Sequence, residues 1–64
     1  GRSGLVRNAA LTLGVAGRVD AVPALAARLA DPKEDPTIRH AAAWALGRID
    51  APEARAALDA HARG

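Results

Sequence analysis

The 64-residue chain contains no cysteine, methionine, phenylalanine or tyrosine, and a single tryptophan is its only aromatic residue. Without cysteine the chain forms no disulfide, and two histidines alone are too few ligands for a structural zinc site. No stretch approaches the roughly 18 consecutive apolar residues that a membrane-spanning helix needs. No basic segment precedes an apolar run, as it would in a signal peptide. We therefore expect a cytoplasmic protein without a membrane partner.

Alanine dominates the apolar residues that are present. Half of the chain is hydrophobic, and 18 of these residues are alanines, so any core is built mostly from small side chains. Below about 70–80 residues a single core rarely contributes more than about 3–5 kcal/mol to stability. We therefore expect the chain to pack against further protein, and we interpret it as a fragment of a longer polypeptide.

The charge is mildly basic, with a formal net charge of +2. Eight of the nine basic residues are arginines, whose guanidinium groups fork onto phosphate or carboxylate groups. A net charge this small does not identify a nucleic-acid partner. His40 and His61 lie 21 residues apart without a ligand motif and predict no metal site. Since no acid–base pair, nucleophile motif or phosphate loop is present, we expect neither catalytic residues nor a small-molecule site in this chain.

The chain repeats itself with a period of 33 residues. Residues 5–31 align with residues 38–64 without a gap, and eight of the 27 positions are identical. Such self-similarity is typical of repeat proteins. The matches that alanine abundance does not explain are Leu13-Gly14 with Leu46-Gly47, and Leu25 with Leu58. The residues that we expect to pack within and between the repeats are Leu13, Gly14, Leu25, Trp44, Leu46, Gly47 and Leu58.

The second unit has the pattern of two helices. Asp35 is suited to cap the first of them, and Pro36 fits its first position. Apolar residues then recur at i, i+4, i+7, i+8 and i+11, which is one face of a helix. These residues are Ile38, Ala42, Ala45, Leu46 and Ile49. Asp50, followed three residues later by Glu53, predicts a capping box at the start of the second helix.

The first unit has a matching pattern. Its first apolar stripe is Leu5, Ala9, Leu13 and Ala16. Gly17 ends that stripe, and Asp20 is suited to cap a second helix, with Pro23 tolerated in its first turn. The apolar side of this second helix is Val22, Leu25, Ala26 and Leu29. Two helical hairpins at this period predict an all-α fold, a four-helix fragment of an α-solenoid.

The domain boundaries follow from this alignment. We expect a flexible lead-in over residues 1–4, the first repeat over residues 5–31, an inter-repeat loop over residues 32–36 and the second repeat over residues 37–64. Three apolar positions of the first repeat change in the second: Val22, Ala26 and Leu29 become Arg55, Asp59 and Ala62. A solenoid ends in a unit with a polar outer face. The second repeat is therefore predicted to be a C-terminal cap carrying an Arg55–Asp59 pair.

The opposite end has no such polar replacement. The first repeat keeps apolar residues at Leu5, Val6, Leu11 and Val15. We therefore expect its N-terminal side to be covered by upstream domains of the same polypeptide.

The repeat pattern resembles known families. Ile38-Arg39, Ala42-Ala43 and Ala45-Leu46-Gly47 resemble the HEAT-like repeats first associated with phycobilisome lyases. A longer resemblance is to the C-terminal end of bacterial epoxyqueuosine reductase. The segments that carry it are Arg7-Asn8-Ala9-Ala10-Leu11-Thr12-Leu13-Gly14, Ala21-Val22-Pro23-Ala24-Leu25, Asp31-Pro32, Ala42-Ala43-Trp44-Ala45-Leu46-Gly47-Arg48-Ile49 and Glu53-Ala54-Arg55-Ala56-Ala57-Leu58. The chain departs from that family where His40 directly follows Arg39, and where Lys33-Glu34 lengthens the loop.

This resemblance implies a parent oxidoreductase that reduces epoxyqueuosine to queuosine in tRNA. It would use a cobalamin and two four-iron clusters held by upstream domains, with no cofactor in this chain. The chain itself would position the anticodon arm of the tRNA and would not catalyse. The alternative is a generic HEAT-like protein–protein interaction module with no RNA role.

The candidate RNA-binding residues lie away from the apolar stripes. Arg7 and His40 are equivalent positions of the two repeats and point about 180–200° from the stripe centre at 100° per residue. Arg39 and Arg48 lie near the two ends of their helix, and Asn8 adjoins Arg7. Together they form a basic strip suited to phosphates, or a solvated face on which Arg39 ties down a neighbouring loop carboxylate and Asn8 packs against upstream protein.

Trp44 also has two interpretations. It is either a packing residue with Arg48 stacked on its ring, or a stacking platform for a base.

Overall fold

The computed structural model describes all 64 residues. The chain forms four α-helices and no β-strand. The helices are α1 (Arg2–Ala16), α2 (Val22–Ala30), α3 (Pro36–Arg48) and α4 (Pro52–Arg63), and a 3₁₀ turn, Val19–Ala21, precedes α2. The predicted all-α fragment of an α-solenoid is confirmed. None of the four helices combines the length and the apolarity that are needed to cross a membrane.

The first helix begins earlier than the sequence pattern indicated. Residues 2–4, assigned above to a lead-in, are helical, because the Gly1 carbonyl accepts a hydrogen bond from the Leu5 amide at 3.2 Å. At the other end Gly17 terminates α1 as predicted. It has φ 67° and ψ 35°, and the amides of Gly17 and Arg18 donate to the carbonyls of Gly14 and Leu13, each at 3.1 Å. A left-handed glycine at this position closes the last turn without a Cβ clash.

Asp35 caps α3 as predicted, with Pro36 as the first helical residue. Its Oδ1 accepts a hydrogen bond from the Thr37 amide at 2.7 Å, and its Oδ2 accepts one from the Ser3 hydroxyl at 3.1 Å. The Thr37 amide, and then the Ser3 hydroxyl, lower the pKa of the Asp35 carboxyl. The same side chain therefore starts α3 and ties it to the first turn of α1.

The two other predicted caps are wrong. Asp20 lies in the 3₁₀ turn, one residue before Ala21, which precedes α2, and it forms an ion pair with Arg18 at 2.7 Å instead. Asp50 lies one residue too early. The residue that precedes α4 is Ala51, and no side chain caps the helix. The sequence pattern placed the capping box out of register because Pro52 takes the first helical position.

Helix α3 lies at the centre of the molecule and packs against the other three helices. Its predicted stripe is confirmed, and every member is buried: Ile38, Ala42, Ala45, Leu46 and Ile49. Val22, Leu25 and Leu29 of α2 are also buried, as predicted, and no polar side chain is buried. The core is thus built from a few branched side chains and many alanines.

The predicted stripe of α1 is wrong. Leu5, the counterpart of Ile38, is 74% exposed, whereas Ile38 is 0% exposed. Helix α1 buries Ala10 and Gly14 against the following repeat and leaves Ala9 exposed. The difference arises because α3 has a helix of the preceding repeat on this side, whereas α1 has none.

The residues expected to pack between repeats have different environments. Leu25 and Leu46 are buried, and Leu13 and Leu58 are half-buried against the core. Gly47 does not pack as predicted. It is exposed, and a Cβ added there would meet no atom within 4 Å, because its side of α3 faces away from the first repeat.

The outer face of the second repeat is polar. Arg55, Asp59 and Ala62 are all exposed, whereas their counterparts Val22 and Leu29 are buried. The predicted Arg55–Asp59 pair does not form, because the Arg55 guanidinium extends to Asp50, with an Nη2–Oδ1 distance of 3.6 Å.

Candidate functional site

An open groove of about 720 Å³ lies between α1 and α3, and all of its lining residues come from these two helices. Helix α1 contributes every fourth residue to it, and α3 contributes a parallel row. The main lining residues are Arg7, Leu11 and Val15 from α1, and Pro36, His40 and Trp44 from α3.

The 33-residue repeat explains why these side chains meet. Arg7 is equivalent to His40 and Leu11 is equivalent to Trp44, so that each repeat contributes one basic and one apolar side chain. Equivalent positions of two stacked repeats lie side by side. Arg7 and His40 are both exposed. His40 lies away from the buried stripe of α3, as predicted, whereas the stripe to which the position of Arg7 was referred is itself largely exposed.

Trp44 forms the apolar wall of the groove, and 40% of it is exposed. The Arg48 guanidinium carbon lies 5.4 Å from the centroid of the indole ring, which is the distance of a cation–π contact. The predicted stacking of Arg48 on Trp44 is confirmed. The contact places a positive charge beside the Trp44 ring, next to the groove.

All the ionisable side chains of the groove are basic. Its lining includes Arg7 and His40 but no carboxylate. The Arg7 guanidinium donates a hydrogen bond to the neutral Asn8 amide oxygen at 3.1 Å. The ion pairs of the molecule lie elsewhere, at Arg18–Asp20, Arg28–Glu34 and Arg55–Asp50. The charges of the groove are thus not neutralised from within the chain.

Arg39 does not belong to this group. It is half-buried, and its Nε donates to the Leu29 carbonyl at 3.2 Å. The contact ties the end of α2 to α3. Arg39 thus has a structural role, but its partner is a backbone carbonyl of α2 and not a loop carboxylate. Arg39 instead lines a second groove of about 580 Å³ together with Leu29 and His61. Of the five candidate residues, Arg7, Asn8, His40 and Arg48 are therefore grouped around the first groove and Arg39 is not.

No cluster of three or more His, Cys, Asp or Glu side chains with the spacing of a metal site occurs in the structure. His40 lines the first groove and His61 the second, so the two histidines are not brought together.

The inter-repeat loop is held by a contact that the sequence analysis missed. Arg28 Nη1 lies 2.6 Å from Glu34 Oε2, and Glu34 Oε1 accepts the Asp35 amide at 3.0 Å. The hydrogen bond from Arg28, followed by that from Asp35, lowers the pKa of the Glu34 carboxyl. Arg28 lies in α2, and Glu34 follows six residues later in the loop. Because the loop is not helical, the helical period could not predict that the two side chains meet. This loop precedes Pro36 and so fixes one edge of the groove.

Val15, Pro36 and Thr37 are groove residues that sequence reasoning also missed. A signal was available for Val15, since it is the 33-residue counterpart of Arg48. Pro36 and Thr37 line the groove only because α3 begins beside α1, and no repeat equivalence indicated this.

Comparison with known proteins gives one curated relative. The deoxyhypusine hydroxylase of Bos taurus is 58% identical over 41 residues, which are 64% of this chain and 14% of that protein. The chain thus spans a small part of the relative that it matches. No solved structure matches the chain.

This result corrects the functional prediction. The curated relative is a deoxyhypusine hydroxylase and not an epoxyqueuosine reductase, so the predicted positioning of tRNA in such a reductase is wrong. The cobalamin and iron clusters expected of that parent enzyme receive no support from the comparison. The predicted resemblance to HEAT-like repeats, in contrast, is confirmed. The family model of HEAT repeats matches residues 4–64, nearly the whole chain, and the chain belongs to the HEAT-repeat family.

Proposed function

We propose that this chain is a protein–protein interaction module whose groove between α1 and α3 binds a polypeptide segment. The observation that carries the proposal is the exposed apolar surface of the groove, formed by Leu11, Val15 and Trp44. Val15 is 69% exposed, although it is a large apolar residue. Contiguous exposed apolar surface marks interaction sites in soluble proteins, and Trp and Arg are enriched among residues that dominate binding energy.

The shape of the groove favours an extended ligand. It is open and runs along two helices, whereas small-molecule sites are concave and enclose most of the ligand surface. An apolar floor with basic groups at its ends matches the usual anatomy of a protein interface, an apolar centre with a polar rim.

We further propose that a HEAT unit outside this chain covers the other exposed side of α1. This side includes Leu5, Ala9 and Thr12, whose counterparts Ile38, Ala42 and Ala45 are buried by the preceding repeat. The polar face at Arg55 and Asp59 is suited instead to contact water, as in a solenoid cap. In this proposal the first repeat, predicted at residues 5–31, begins at Arg2 with α1, and the second, predicted at residues 37–64, begins at Pro36 with α3.

A second candidate function is a segment of a deoxyhypusine hydroxylase. The observation that favours it is the 58% identity over 41 residues. Because these residues are 14% of the bovine protein, the activity itself is a proposal for any protein that contains this chain.

The first proposal is tested by selecting binders from a random peptide library displayed on phage, with the 64-residue chain as bait. We expect enriched peptides to shift the indole N–H signal of Trp44 in NMR spectra and to lose binding when Val15 is replaced by Asp. The matched control is Val19→Asp, which places the same charge on another exposed valine outside the groove. Enriched peptides that bind equally to the two variants, or the absence of enriched peptides, would contradict the proposal.

The second candidate is tested with a chimera. This chain replaces the aligned 41 residues of the bovine hydroxylase, and the hydroxylation of a deoxyhypusine-containing protein is followed by the mass of one added oxygen atom. Retained hydroxylation supports the second candidate. A folded chimera without hydroxylation shows that the identity reflects HEAT packing alone.

A further inference from the structure

We infer that the groove selects an acidic segment with an apolar anchor, in the order acidic–x–apolar–x–acidic. This inference rests on the proposed function and names the chemical class of its partner. It is carried by the order of side chains along the two helices that form the groove.

The two rows of the groove share a basic first member and an apolar second member, and differ at the third. On α1 the row is Arg7, Leu11 and Val15, and on α3 it is His40 and Trp44. Arg48 follows one turn later on α3 and lies over the Trp44 ring. Each member stands opposite its 33-residue counterpart. The groove therefore has a basic end, an apolar centre formed by Leu11 and Trp44, and a second basic position at Arg48.

The spacing of these rows sets the spacing of the ligand. Successive members are four residues apart on a helix, which is about 6 Å along its axis. An extended peptide advances about 3.3 Å per residue. A carboxylate at the basic end and an apolar side chain between Leu11 and Trp44 are therefore two residues apart in the ligand. A second carboxylate two residues further along reaches Arg48.

The basic residues of the groove favour a negatively charged ligand. No carboxylate lines the groove, and the hydrogen-bonded partner of Arg7 is the neutral amide of Asn8. Arg7 thus has no carboxylate partner within the chain and retains donors for a carboxylate of the ligand, with which a guanidinium forms a forked, charge-assisted pair. Arg48 lies against the Trp44 ring, which does not neutralise it.

The same surface fits a single-stranded nucleic acid less well. Such partners are bound by several aromatic side chains on which successive bases stack, and Trp44 is the only aromatic residue of the chain. Leu11 and Val15 supply apolar contact that suits an aliphatic or aromatic side chain of a peptide.

The experiment uses the intrinsic fluorescence of Trp44, which reports on the groove alone because the chain has no other tryptophan. The chain is titrated with a capped peptide of the pattern Glu-Ser-Leu-Ser-Glu and with the same peptide carrying Gln for Glu. We expect the acidic peptide to bind at least tenfold more tightly at low ionic strength, with a difference that shrinks as salt screens the charges. Arg7→Gln removes most of this preference, whereas the matched control Arg63→Gln, on α4, leaves it unchanged.

The outcomes separate this inference from the proposed function. Equal binding of the acidic and Gln peptides, with a fluorescence change, overturns the acidic preference and supports a groove that binds polypeptide. No fluorescence change with either peptide, together with no enriched binder in the library selection, overturns both. Tighter binding of an oligouridine than of the acidic peptide overturns the inference in favour of nucleic acid. Circular dichroism of the Arg7 variant confirms that a loss of preference is not a loss of fold.

Discussion

Gly14 of α1 and Ala45 of α3 bring the backbones of the two helices into contact. A Cβ built on Gly14 would lie 2.7 Å from the Ala45 Cα and 2.9 Å from its Cβ. It would also lie 3.2 Å from Cζ3 of Trp44. The absence of a side chain at Gly14 therefore determines how closely α1 and α3 approach each other and where the Trp44 ring lies. The groove depends on both.

The first prediction concerns this contact. Gly14→Ala should destabilise the fold, because the added methyl meets backbone that moves only with the whole helix. Overpacking of this kind typically costs about 1–3 kcal/mol, against a gain in helix propensity of at most about 1 kcal/mol. Urea unfolding followed by circular dichroism measures the net change.

Gly47→Ala is the matched control for this prediction. Gly47 is the 33-residue counterpart of Gly14, but a Cβ there meets open space. The substitution should therefore leave stability unchanged or increase it by up to about 1 kcal/mol. If both alanine variants change stability in the same direction, close approach at Gly14 is not the reason for its glycine.

The second prediction compares the equivalent positions Ile38 and Leu5. Ile38→Ala removes a fully buried side chain, which typically costs about 2–5 kcal/mol. A chain of this size has about that much stability in total, so the variant should be largely unfolded at room temperature. Leu5→Ala should change stability by less than about 0.5 kcal/mol because Leu5 is exposed.

A fused consensus HEAT unit ahead of Gly1 extends this comparison to the proposed stacking surface. In the fusion Leu5 should become buried, and Leu5→Ala should then cost a similar amount to Ile38→Ala. Hydrogen exchange should show new protection of the α1 amides. An unprotected α1 in the folded fusion would argue against a unit on this side.

The apolar stripe of one helix could be predicted from the sequence, and that of another could not. The stripe of α3 was predictable because its five apolar residues follow one helical period and all of them are buried. The stripe of α1 was not, since periodicity identifies an apolar face but does not say on which side a neighbour lies, and Leu5 has no neighbour. Asp35 was recognisable as a cap because it directly precedes Pro36 and binds the Thr37 amide, whereas a 3₁₀ turn that no sequence period indicated moves Asp20 away from the cap position of α2.

The groove was predictable only in part. Repeat equivalence paired Arg7 with His40 and Leu11 with Trp44, and thus indicated which side chains meet. The width of the groove depends on the close approach of Gly14 to Ala45, and its edge at Pro36 depends on the loop contact between Arg28 and Glu34. Both are three-dimensional contacts that no period in the sequence encodes.

The third prediction concerns the polar face of the second repeat. Arg55→Val, Asp59→Ala and Ala62→Leu together restore the residues with which the first repeat packs on the second. The exposed side of α1 in another molecule, which includes Leu5, should then bind this face. Because the two faces differ, the contact is heterologous, and it should extend head to tail into oligomers. Sedimentation velocity should detect oligomers that grow with concentration.

Leu5→Glu provides the control for this association. In the triple variant it places a charge on the exposed side of α1 and leaves the three substituted residues of α4 unchanged. It should therefore restore the monomer. Oligomers that persist in the presence of Leu5→Glu would mean that the association uses a surface other than α1.

The fourth prediction is a pH dependence of stability at Asp35. The Thr37 amide, and then the Ser3 hydroxyl, hold the pKa of this carboxyl below its ordinary range in the folded state. The ionised group therefore contributes stability that is fully present above the ordinary aspartate pKa, about 3.9. This contribution is lost as the pH falls through the lower pKa of the folded state. The stability of the wild-type chain should thus decrease on acidification below about pH 4.

Asp35→Asn isolates the contribution of this group from that of Glu34 and Asp20, whose pKa values are also lowered. Asparagine is a comparable helix cap but does not titrate, so the variant should keep α3 intact and show a shallower loss of stability in acid. Asp35→Ala should be less stable than either at neutral pH, since it leaves the Thr37 amide without its acceptor. Thermal unfolding midpoints measured between neutral and acidic pH give all three curves. An Asn variant whose curve parallels the wild type throughout would show that the acid sensitivity arises at the other carboxylates.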